Sequence, residues 1–217
     1  MSTTVNLLEA LVARGAPVRV VVAGSSAEYG AAGGQRRPME SAPAEPTTLY
    51  GAAKHAQTLA ALSFARSPLS VIVARIFNVL GPGTPGNLAP GAFAGQIARI
   101  AAGLQPPEAI VGDLSARRDY IDVRDTAAAL ELLMRRGQSG ECYNVGSGRS
   151  TPMSDVLHGL AKIAHVRLRT RVDPARLRPS EVRNLAANID KIRALGWSAR
   201  IELERSLADT LGWWSPR

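Results

Sequence analysis

Short runs of β-branched residues alternate with longer segments of helical periodicity along the chain. The runs at 18–23, 69–76 and 142–145 are apolar and continuous, which is typical of strands buried on both faces of a parallel sheet. Helical spacing is found at 5–14, 48–65, 92–102, 125–136, 190–195 and 203–214. This alternation predicts an α/β fold with a mostly parallel sheet.

Capping and turn residues indicate where several of these elements end. Gly15 follows the first helical segment as a candidate C-cap, and Thr151 precedes a predicted helix that begins at Pro152. The segment 30–46 is rich in glycine and proline, and loops of that length are usually functional. The Gly-Pro-Gly segment at 81–83 lacks a Lys-Ser/Thr ending, so we interpret it as a turn and not as a phosphate-binding loop.

The length and composition predict a globular chain without a membrane span. It has 217 residues, of which 46% are hydrophobic, and no run reaches the roughly 18 apolar residues that cross a bilayer. Glu9 interrupts the apolar character that a signal peptide would need, so we expect a cytoplasmic protein. Cys142 is the single cysteine and shows no metal-ligand spacing with the three histidines, so neither a disulfide nor a metal is expected.

The formal net charge of +8 raises the question of nucleic-acid binding. The basic residues are spread from Arg14 to Arg217, and the densest cluster, at 167–178, lacks the interleaved aromatic side chains of a base-stacking surface. We therefore expect no nucleic-acid partner. A few arginines could instead bind a diphosphate through their bidentate guanidinium groups.

Three side chains carry the candidate chemistry. Ser25 follows a predicted buried strand, where α/β sheets place their reactive groups. Lys54 comes one helical turn after Tyr50, so both side chains leave the same helix face and an ammonium group can lie close to a phenol. A nearby cation favours the phenolate form, so Tyr50 could act as an acid or base while Ser25 hydrogen-bonds the same substrate oxygen. For the Tyr-x-x-x-Lys spacing alone, the alternative is an amphipathic helix with an exposed lysine.

Six motifs resemble one known family over nearly the whole chain. They are SSAEYG (25–30), YGAAK (50–54), RIFNVLGPG (75–83), RRDYIDVRD (117–125), YNVGSGR (143–149) and DPARLRPSEV (173–182). The sequence resembles the extended short-chain dehydrogenases of the NAD-dependent epimerase/dehydratase type that act on nucleotide sugars. The last motif is most similar to the branch that acts on GDP-linked sugars, the GDP-4-keto-6-deoxy-D-mannose reductases and the GDP-mannose 4,6-dehydratases.

The resemblance implies a catalytic triad of Ser25, Tyr50 and Lys54, with Tyr50 and Lys54 also contacting the cofactor, NADP or NAD. It implies a partial Rossmann-type parallel sheet followed by a small C-terminal α/β substrate-binding domain. The expected division is 1–80 for the sheet domain and 81–217 mainly for the nucleotide-sugar domain, with 120–146 returning to the sheet.

The resemblance also implies that five residues hold a nucleotide-diphosphate sugar, expected to be GDP-linked. They are Asn78, Gln96, Arg118, Arg178 and Glu181. Simpler interpretations remain open for four of them. Asn78 could cap the turn after its strand, and Arg118 could pair with a nearby aspartate, Asp119 or Asp122. Arg178 and Glu181 could form an exposed ion pair that contributes little to stability.

One position bears on the reaction type. The similar dehydratases carry a glutamate two residues after the catalytic Ser or Thr, whereas this chain has Ala27, which cannot move protons. Glu28 is one residue further on and is expected to point elsewhere. We therefore favour reduction of a 4-keto-6-deoxy sugar, with Tyr50 giving a proton to the C4 oxygen. A dehydratase, an epimerase and a non-catalytic nucleotide-sugar-binding fragment are the alternatives.

The start of the chain departs from the family pattern. No strand with a glycine-rich turn precedes Val18, and the resemblance implies that roughly 80 to 90 residues of the pattern are not in this chain. Cofactor affinity is then expected to be low, so we expect this truncated chain to be a weak or inactive reductase. The strand 18–23 is expected to lie at an open sheet edge that favours aggregation or pairing. We expect a gene fragment, a misassigned start or one piece of a two-chain enzyme.

A homodimer is also implied by the resemblance. The helices at 5–14 and after Tyr50 resemble the pair that forms a four-helix contact in the family, and the small residues Ala52, Ala56 and Ala60 would allow close approach. The alternative is that these helices pack only within one chain.

Overall fold

The computed structural model describes residues 2–30, 37–177 and 184–215 and confirms the α/β fold class. The helices are α1 (Ser2–Ala13), α2 (Leu49–Ser63), α3 (Ala89–Ala101), α4 (Val123–Arg136), α5 (Met153–Ile163), α6 (Asp190–Ala194) and α7 (Leu203–Trp214). The strands are β1 (Val18–Ser25), β2 (Leu69–Ile76), β3 (Asn78–Leu80), β4 (Glu108–Val111), β5 (Arg117–Arg118), β6 (Tyr120–Asp122), β7 (Cys142–Val145), β8 (Thr151–Pro152), β9 (Arg169–Val172) and β10 (Asn184–Leu185).

The main sheet is built from the three strands that the apolar runs predict. Its order is β1-β2-β7, and both pairs are parallel, as expected. Ser25, at the end of β1, pairs with Ile76, at the end of β2, which in turn pairs with Val145 of β7. The carboxyl ends of all three strands therefore meet at one edge, where α/β sheets bind ligands.

Helices cover both faces of this sheet. Alternate residues of β2 point to opposite faces, so they pack against different helices. Val71 and Val73 are buried against a cluster that includes residues of α1 and α2. Ile72 and Ala74 are buried in a second cluster with residues of α4. Each fully buried aliphatic side chain of valine or isoleucine size contributes about 1.5–3 kcal/mol, so β2 anchors the domain.

Strand β1 is less buried than its apolar sequence predicts. Within the described ranges it pairs only with β2, so one edge of the sheet lies at β1, as expected. Residues 18–21 are half-buried, Val22 is buried and Ala23 is exposed. The prediction that the run 18–23 is buried on both faces is therefore wrong for most of its residues, because an edge strand has a packed neighbour on one side only.

A second core lies beyond the sheet, where α3, α5 and α7 pack together with β4 and β6. Its fully buried side chains include Leu80, Ile97, Leu157 and Leu160. Short strand pairs flank it, with β4 parallel to β9 and β3 parallel to β6. The C-terminal segment divides its contacts, since residues 185–197 pack on the main-sheet core while α7 packs here. The domain boundaries derived from the sequence stay a prediction.

The predicted helix cap at Thr151 is wrong. Thr151 and Pro152 form β8, which pairs antiparallel with β5, and α5 begins only at Met153. Pairing draws the Thr151 backbone into a strand, so its hydroxyl does not cap the helix. Apart from β7, the strands of two to four residues escape sequence prediction because they show no measurable periodicity. Within the described ranges, no helix has the length and apolar character needed to cross a membrane.

Candidate active site

Ser25 lies at the carboxyl end of β1, where the chain turns into a 3₁₀ turn at Ser26–Glu28. Its backbone is extended, with φ −149° and ψ 145°, and its Oγ accepts a hydrogen bond from the Ala27 N–H at 3.2 Å. The residue is only 8% exposed, yet it lines a cavity at this edge of the sheet. The sequence therefore places a hydrogen-bonded hydroxyl at the carboxyl end of β1.

Tyr50 is placed beside Ser25 by the start of α2. The Thr48 hydroxyl caps this helix by accepting a hydrogen bond from the Gly51 N–H at 3.0 Å. Gly51 packs so closely on the turn after Ser25 that an added Cβ would lie 2.4 Å from the Ala27 carbonyl oxygen. The Tyr50 side chain, 59% exposed, lines the same cavity as Ser25. The glycine after the tyrosine is thus what lets the helix approach the strand end.

Replacing Gly51 with alanine is expected to lower both stability and turnover. The new methyl group must push α2 away from the turn, and such overpacking costs about 1–3 kcal/mol. The matched control is Gly212→Ala in α7, where an added Cβ meets nothing within 4 Å. That change should leave the free energy of unfolding unchanged or raise it by about 0.5–1 kcal/mol. Urea unfolding of both variants measures the difference, and equal effects would contradict this account of Gly51.

Lys54, on α2, has its ammonium group near the carboxyl end of β1. Its Nζ donates to the Ala23 carbonyl oxygen at 2.9 Å and to Gln57 Oε1 at 3.0 Å. Gln57 Nε2 in turn donates to the Thr4 hydroxyl on α1, at 2.8 Å. The ammonium group is thus fixed two residues before Ser25, although Lys54 is not among the residues that line the cavity.

The cavity at this sheet edge has a volume of about 770 Å³. It brings together four of the residues singled out in the sequence, Ser25, Tyr50, Asn78 and Arg118. The turn at 81–83 forms part of its wall, where the Thr84 N–H donates to the Gly81 carbonyl oxygen at 3.1 Å. This turn agrees with the sequence interpretation.

Asn78, at the start of β3, lines the cavity and is hydrogen-bonded to Asp119, which lies between β5 and β6. The Asn78 side-chain amide donates to the Asp119 carbonyl oxygen at 2.9 Å, so it bonds a neighbouring strand and does not only cap its own turn. Asp119 is fully buried, and its carboxylate accepts hydrogen bonds from Ser147, Gly148 and Ala187. Burial raises the pKa of Asp119, against the effect of these hydrogen bonds. Sequence reasoning missed this anchoring role.

Arg118 is the cation that connects two cavities, since it lines both the one beside Tyr50 and a second one beside α3. Its Nη1 donates to the Arg117 carbonyl oxygen at 2.8 Å. Burial lowers the pKa of Arg118, and the nearby Tyr120 and Asp113 act in the opposite direction. A partly desolvated guanidinium group in this position is suited to binding an anionic group.

The second cavity has a volume of about 1000 Å³ and lies between α3, β4 and α7. Gln96 lines it, but its side-chain amide is tied to the backbone of Ile110, accepting from the N–H at 2.7 Å and donating to the carbonyl oxygen at 3.1 Å. These bonds favour a role in holding β4 on α3. Trp214 packs against Gly95 of α3 and also lines this cavity, and its indole donates to the Thr84 carbonyl oxygen at 3.2 Å. Arg178 and Glu181 lie outside the described residues.

Glu28 does not line either cavity, in line with the expectation that it points elsewhere. Its side chain is fully buried, where Oε1 accepts from the Ser25 N–H at 2.8 Å and Oε2 accepts from Arg75 Nε at 3.2 Å. Sequence reasoning missed this ion pair. A signal was available, because an arginine near the end of a buried apolar strand needs a partner of opposite charge.

The parallel sheet with Ser25 at the end of β1, and with Tyr50 and Lys54 one helical turn apart on α2, has the arrangement that the resemblance implied. Residues 1–146 match the model of the NAD dependent epimerase/dehydratase family. The chain belongs to this family, and the resemblance seen in the sequence motifs is confirmed.

Several relatives are similar over nearly the whole chain. The GDP-6-deoxy-D-mannose reductase of Pseudomonas aeruginosa strain PAO1 is 34% identical over 217 residues, which cover 99% of this chain and 71% of the reductase. A solved structure of RMD from Pseudomonas aeruginosa with NADPH superposes with a TM-score of 0.91 at 33% identity, covering 97% of this chain and 71% of that one. MoeE5 in complex with UDP-glucose and NAD superposes with a TM-score of 0.81 at 33% identity, covering 97% and 69%.

Other curated relatives are much longer than the matched region. The chain is 29% identical to a trifunctional UDP-glucose 4,6-dehydratase of Arabidopsis thaliana, RHM1, and covers 25% of its length. Membership of the family rests on the match over residues 1–146 and on the 34% identity to the reductase, and the relatives differ in the sugars named for them.

Proposed function

We propose that the protein is an NAD(P)-dependent reductase of a nucleotide-linked 4-keto-6-deoxy sugar, with GDP-4-keto-6-deoxymannose as the preferred substrate. The observation that carries the proposal is the cavity in which Ser25 and Tyr50 lie together at the carboxyl edge of the sheet. The likeness to a GDP-6-deoxy-D-mannose reductase supports the choice of sugar and nucleotide.

Ser25 and Tyr50 would act together on the C4 carbonyl oxygen of the sugar. Ser25 Oγ orients this oxygen, and the Tyr50 phenol donates a proton to it as the C–O double bond becomes a single bond. NAD(P)H, when bound, supplies the hydride to C4. Tyr50 then regains its proton from solvent, since it is largely exposed.

Tyr50 and Lys54 are the residues that would contact the cofactor. Lys54 Nζ is held at the end of β1 by the Ala23 carbonyl oxygen and Gln57, which leaves its third proton for a ribose hydroxyl. A fixed ammonium on the residue one helical turn after an exposed phenol fits the nicotinamide end of NAD(P). The role of these residues is to orient that end and to keep a positive charge near the phenol.

Ala27 favours reduction over dehydration. It lines the cavity beside Ser25, where the similar dehydratases have a proton-transferring glutamate, and its methyl group cannot transfer protons. Glu28, the nearest carboxylate in sequence, is buried against Arg75 and does not line the cavity. Reduction needs no acid or base at C5, so the Ser25 and Tyr50 pair is sufficient for it.

The nucleotide would extend from the catalytic cavity into the second one. The two cavities share Arg118, and their volumes of about 770 and 1000 Å³ are large enough for a ligand of this size. In this arrangement Arg118 contacts the diphosphate, and the wall formed by α3 and Trp214 contacts the base or its ribose. Asn78 would contact the sugar end of the diphosphate.

The nucleotide assignment is tested by thermal unfolding with GDP, UDP or dTDP, each with and without NADPH. We expect GDP to raise the melting temperature most, because bound ligand stabilises the folded state in proportion to RT ln(1 + [L]/Kd). Stabilisation by GDP alone supports the nucleotide site, and a further rise with NADPH supports a reductase. No response to any nucleotide would contradict the site assignment.

We further propose that the protein forms a homodimer through α1 and α2. These helices pack on each other within the chain, and both carry exposed apolar side chains, Leu7 at 54% and Leu59 at 57% exposure. Ala52, on the same helix as Leu59, is exposed as well. Sedimentation velocity should show a dimer that Leu59→Glu converts to monomer, and a monomeric wild type would rule the proposal out.

A further inference from the structure

A buried carboxylate lies directly behind the proposed catalytic serine. Glu28 is 0% exposed, although a carboxylate is costly to bury unless it is paired and hydrogen-bonded. One of its oxygens accepts from the Ser25 N–H at 2.8 Å, and the hydroxyl of the same serine accepts from the Ala27 N–H at 3.2 Å. Glu28 and Ser25 thus form a reciprocal capping box around the turn. This turn therefore fixes both the backbone N–H and the side-chain hydroxyl of Ser25.

The other oxygen of Glu28 is fixed from the neighbouring strand. Arg75, on β2, donates from Nε at 3.2 Å, and the pair is almost completely buried. Arg75 is itself held, because its Nη1 donates to the Glu40 carbonyl oxygen at 3.0 Å and its guanidinium group lies 4.9 Å from the centre of the Tyr29 ring. The carboxylate is therefore part of a rigid group and not a mobile side chain.

Gly24 and His55 lie close to the Glu28 carboxylate. A Cβ added to Gly24 would lie 2.7 Å from Glu28 Oε1, so the carboxylate fills the space beside the end of β1. On the other side, His55 Nδ1 lies 3.8 Å from Glu28 Oε2. That nitrogen is buried and has no hydrogen-bond partner within the described residues. Glu28 is thus enclosed by β1, β2 and α2, the elements that form the proposed catalytic edge.

We infer that Glu28 is a positioning residue, which fixes the backbone of Ser25 so that its hydroxyl is presented to the substrate carbonyl. This inference rests on the proposed function. Glu28 lines neither cavity, so it would act only through Ser25. Its loss should lower kcat, since the serine hydroxyl becomes misplaced. The KM for the nucleotide sugar should change little, because the nucleotide is bound at Arg118 and in the second cavity.

The test uses two substitutions in the full 217-residue chain. Glu28→Gln keeps an oxygen that can accept from the Ser25 N–H, whereas Glu28→Leu has a similar size and no acceptor. A misplacement of about 1 Å can cost up to about 100-fold in rate, so we expect kcat to fall about 30-fold in Glu28→Leu. Because a neutral acceptor gives a weaker hydrogen bond, we expect a loss of about fivefold in Glu28→Gln.

Asp125 provides the matched control. Its carboxylate is also buried, 6% exposed, and it accepts hydrogen bonds from the backbone N–H groups of Arg200 and Ile201 at 3.0 and 2.9 Å. It lines neither cavity. Asp125→Asn and Asp125→Leu should therefore lower the melting temperature without lowering kcat in the folded fraction. If the Asp125 and Glu28 substitutions lower kcat equally at equal loss of stability, the positioning role is wrong.

A second measurement separates this inference from the proposed function. The Ser25 amide resonance in a ¹H–¹⁵N spectrum reports on the hydrogen bond to Glu28 whether or not a substrate is turned over. We expect it to move markedly in Glu28→Leu, less in Glu28→Gln, and hardly at all in the Asp125 variants. A wild-type chain that reduces no nucleotide-linked keto sugar would refute the proposed function alone, whereas an unmoved Ser25 amide in both Glu28 variants would refute the positioning role. If Glu28→Leu does not fold, Glu28→Gln decides both readouts.

Discussion

Replacing Tyr50 with phenylalanine is expected to lower kcat about 1000-fold, within the range that general acid catalysis supplies. The substitution removes only the phenolic hydroxyl, which is the proton donor to the C4 oxygen in the proposed reaction. Tyr50 is 59% exposed at the start of α2, so stability should not change noticeably. The KM for the nucleotide sugar should stay within about threefold, since the nucleotide contacts lie elsewhere. Steady-state kinetics with NADPH and the keto sugar measure both constants.

Tyr120 is the control for this experiment, because it lines the same cavity. Its hydroxyl donates to the sulfur of Met153 at 3.1 Å, and burial raises the pKa of Tyr120 to about 12. A phenol with so high a pKa is a poor proton donor near neutral pH. Tyr120→Phe should therefore lower kcat less than about tenfold. A larger loss in Tyr120→Phe than in Tyr50→Phe would show that the wrong tyrosine has been assigned.

Replacing Arg118 with leucine is expected to raise the KM for the nucleotide sugar about 100-fold while kcat changes little. Hydrogen bonds to charged groups contribute about 1.5–3 kcal/mol, and Arg118 is the cation shared by both cavities. Arg118→Lys should restore only part of the affinity, because an ammonium group cannot bind a diphosphate in a bidentate manner. Titration with GDP by calorimetry gives the same comparison without turnover.

Arg117 is the neighbouring control. Its guanidinium group bonds the hydroxyl and carbonyl oxygen of Ser150, and it lines neither cavity. Arg117→Leu should leave GDP affinity within about twofold of the wild type. Equal losses of affinity in the two variants would mean that Arg118 acts through the fold, and a fall in kcat alone would place Arg118 at the reacting carbonyl instead.

Local patterns were sufficient for much of the fold and part of the site. Continuous apolar runs predicted β1, β2 and β7 and their parallel pairing, although only β2 and β7 are largely buried. The end of β1 and the start of α2 then placed Ser25 and Tyr50 at one sheet edge. The structure confirms the fold and brings these residues into one cavity, while their catalytic roles stay a prediction.

Other features depend on contacts between residues far apart in sequence, which periodicity does not encode. The pairing of Glu28 with Arg75 and the hydrogen bonds around Asp119 join strands and turns that meet only in the folded chain. Gln96 was selected by resemblance, and its bonds to Ile110 became visible only once β4 was placed beside α3. The incomplete burial of β1 has the same origin, since burial depends on neighbouring strands and not on the strand's own sequence.

The central claim is that hydride from NAD(P)H reduces the C4 carbonyl of a nucleotide-linked sugar, while Ser25 orients the carbonyl oxygen and Tyr50 gives it a proton. The most direct test incubates the protein with GDP-4-keto-6-deoxymannose and NADPH carrying deuterium at C4 of the nicotinamide, each diastereomer in turn. We expect one diastereomer to place a single deuterium at C4 of the sugar, detected by mass spectrometry and NMR, and Tyr50→Phe to abolish this transfer. An unlabelled sugar would contradict the claim, as would label that enters C5 in a parallel incubation with unlabelled NADPH in deuterated water.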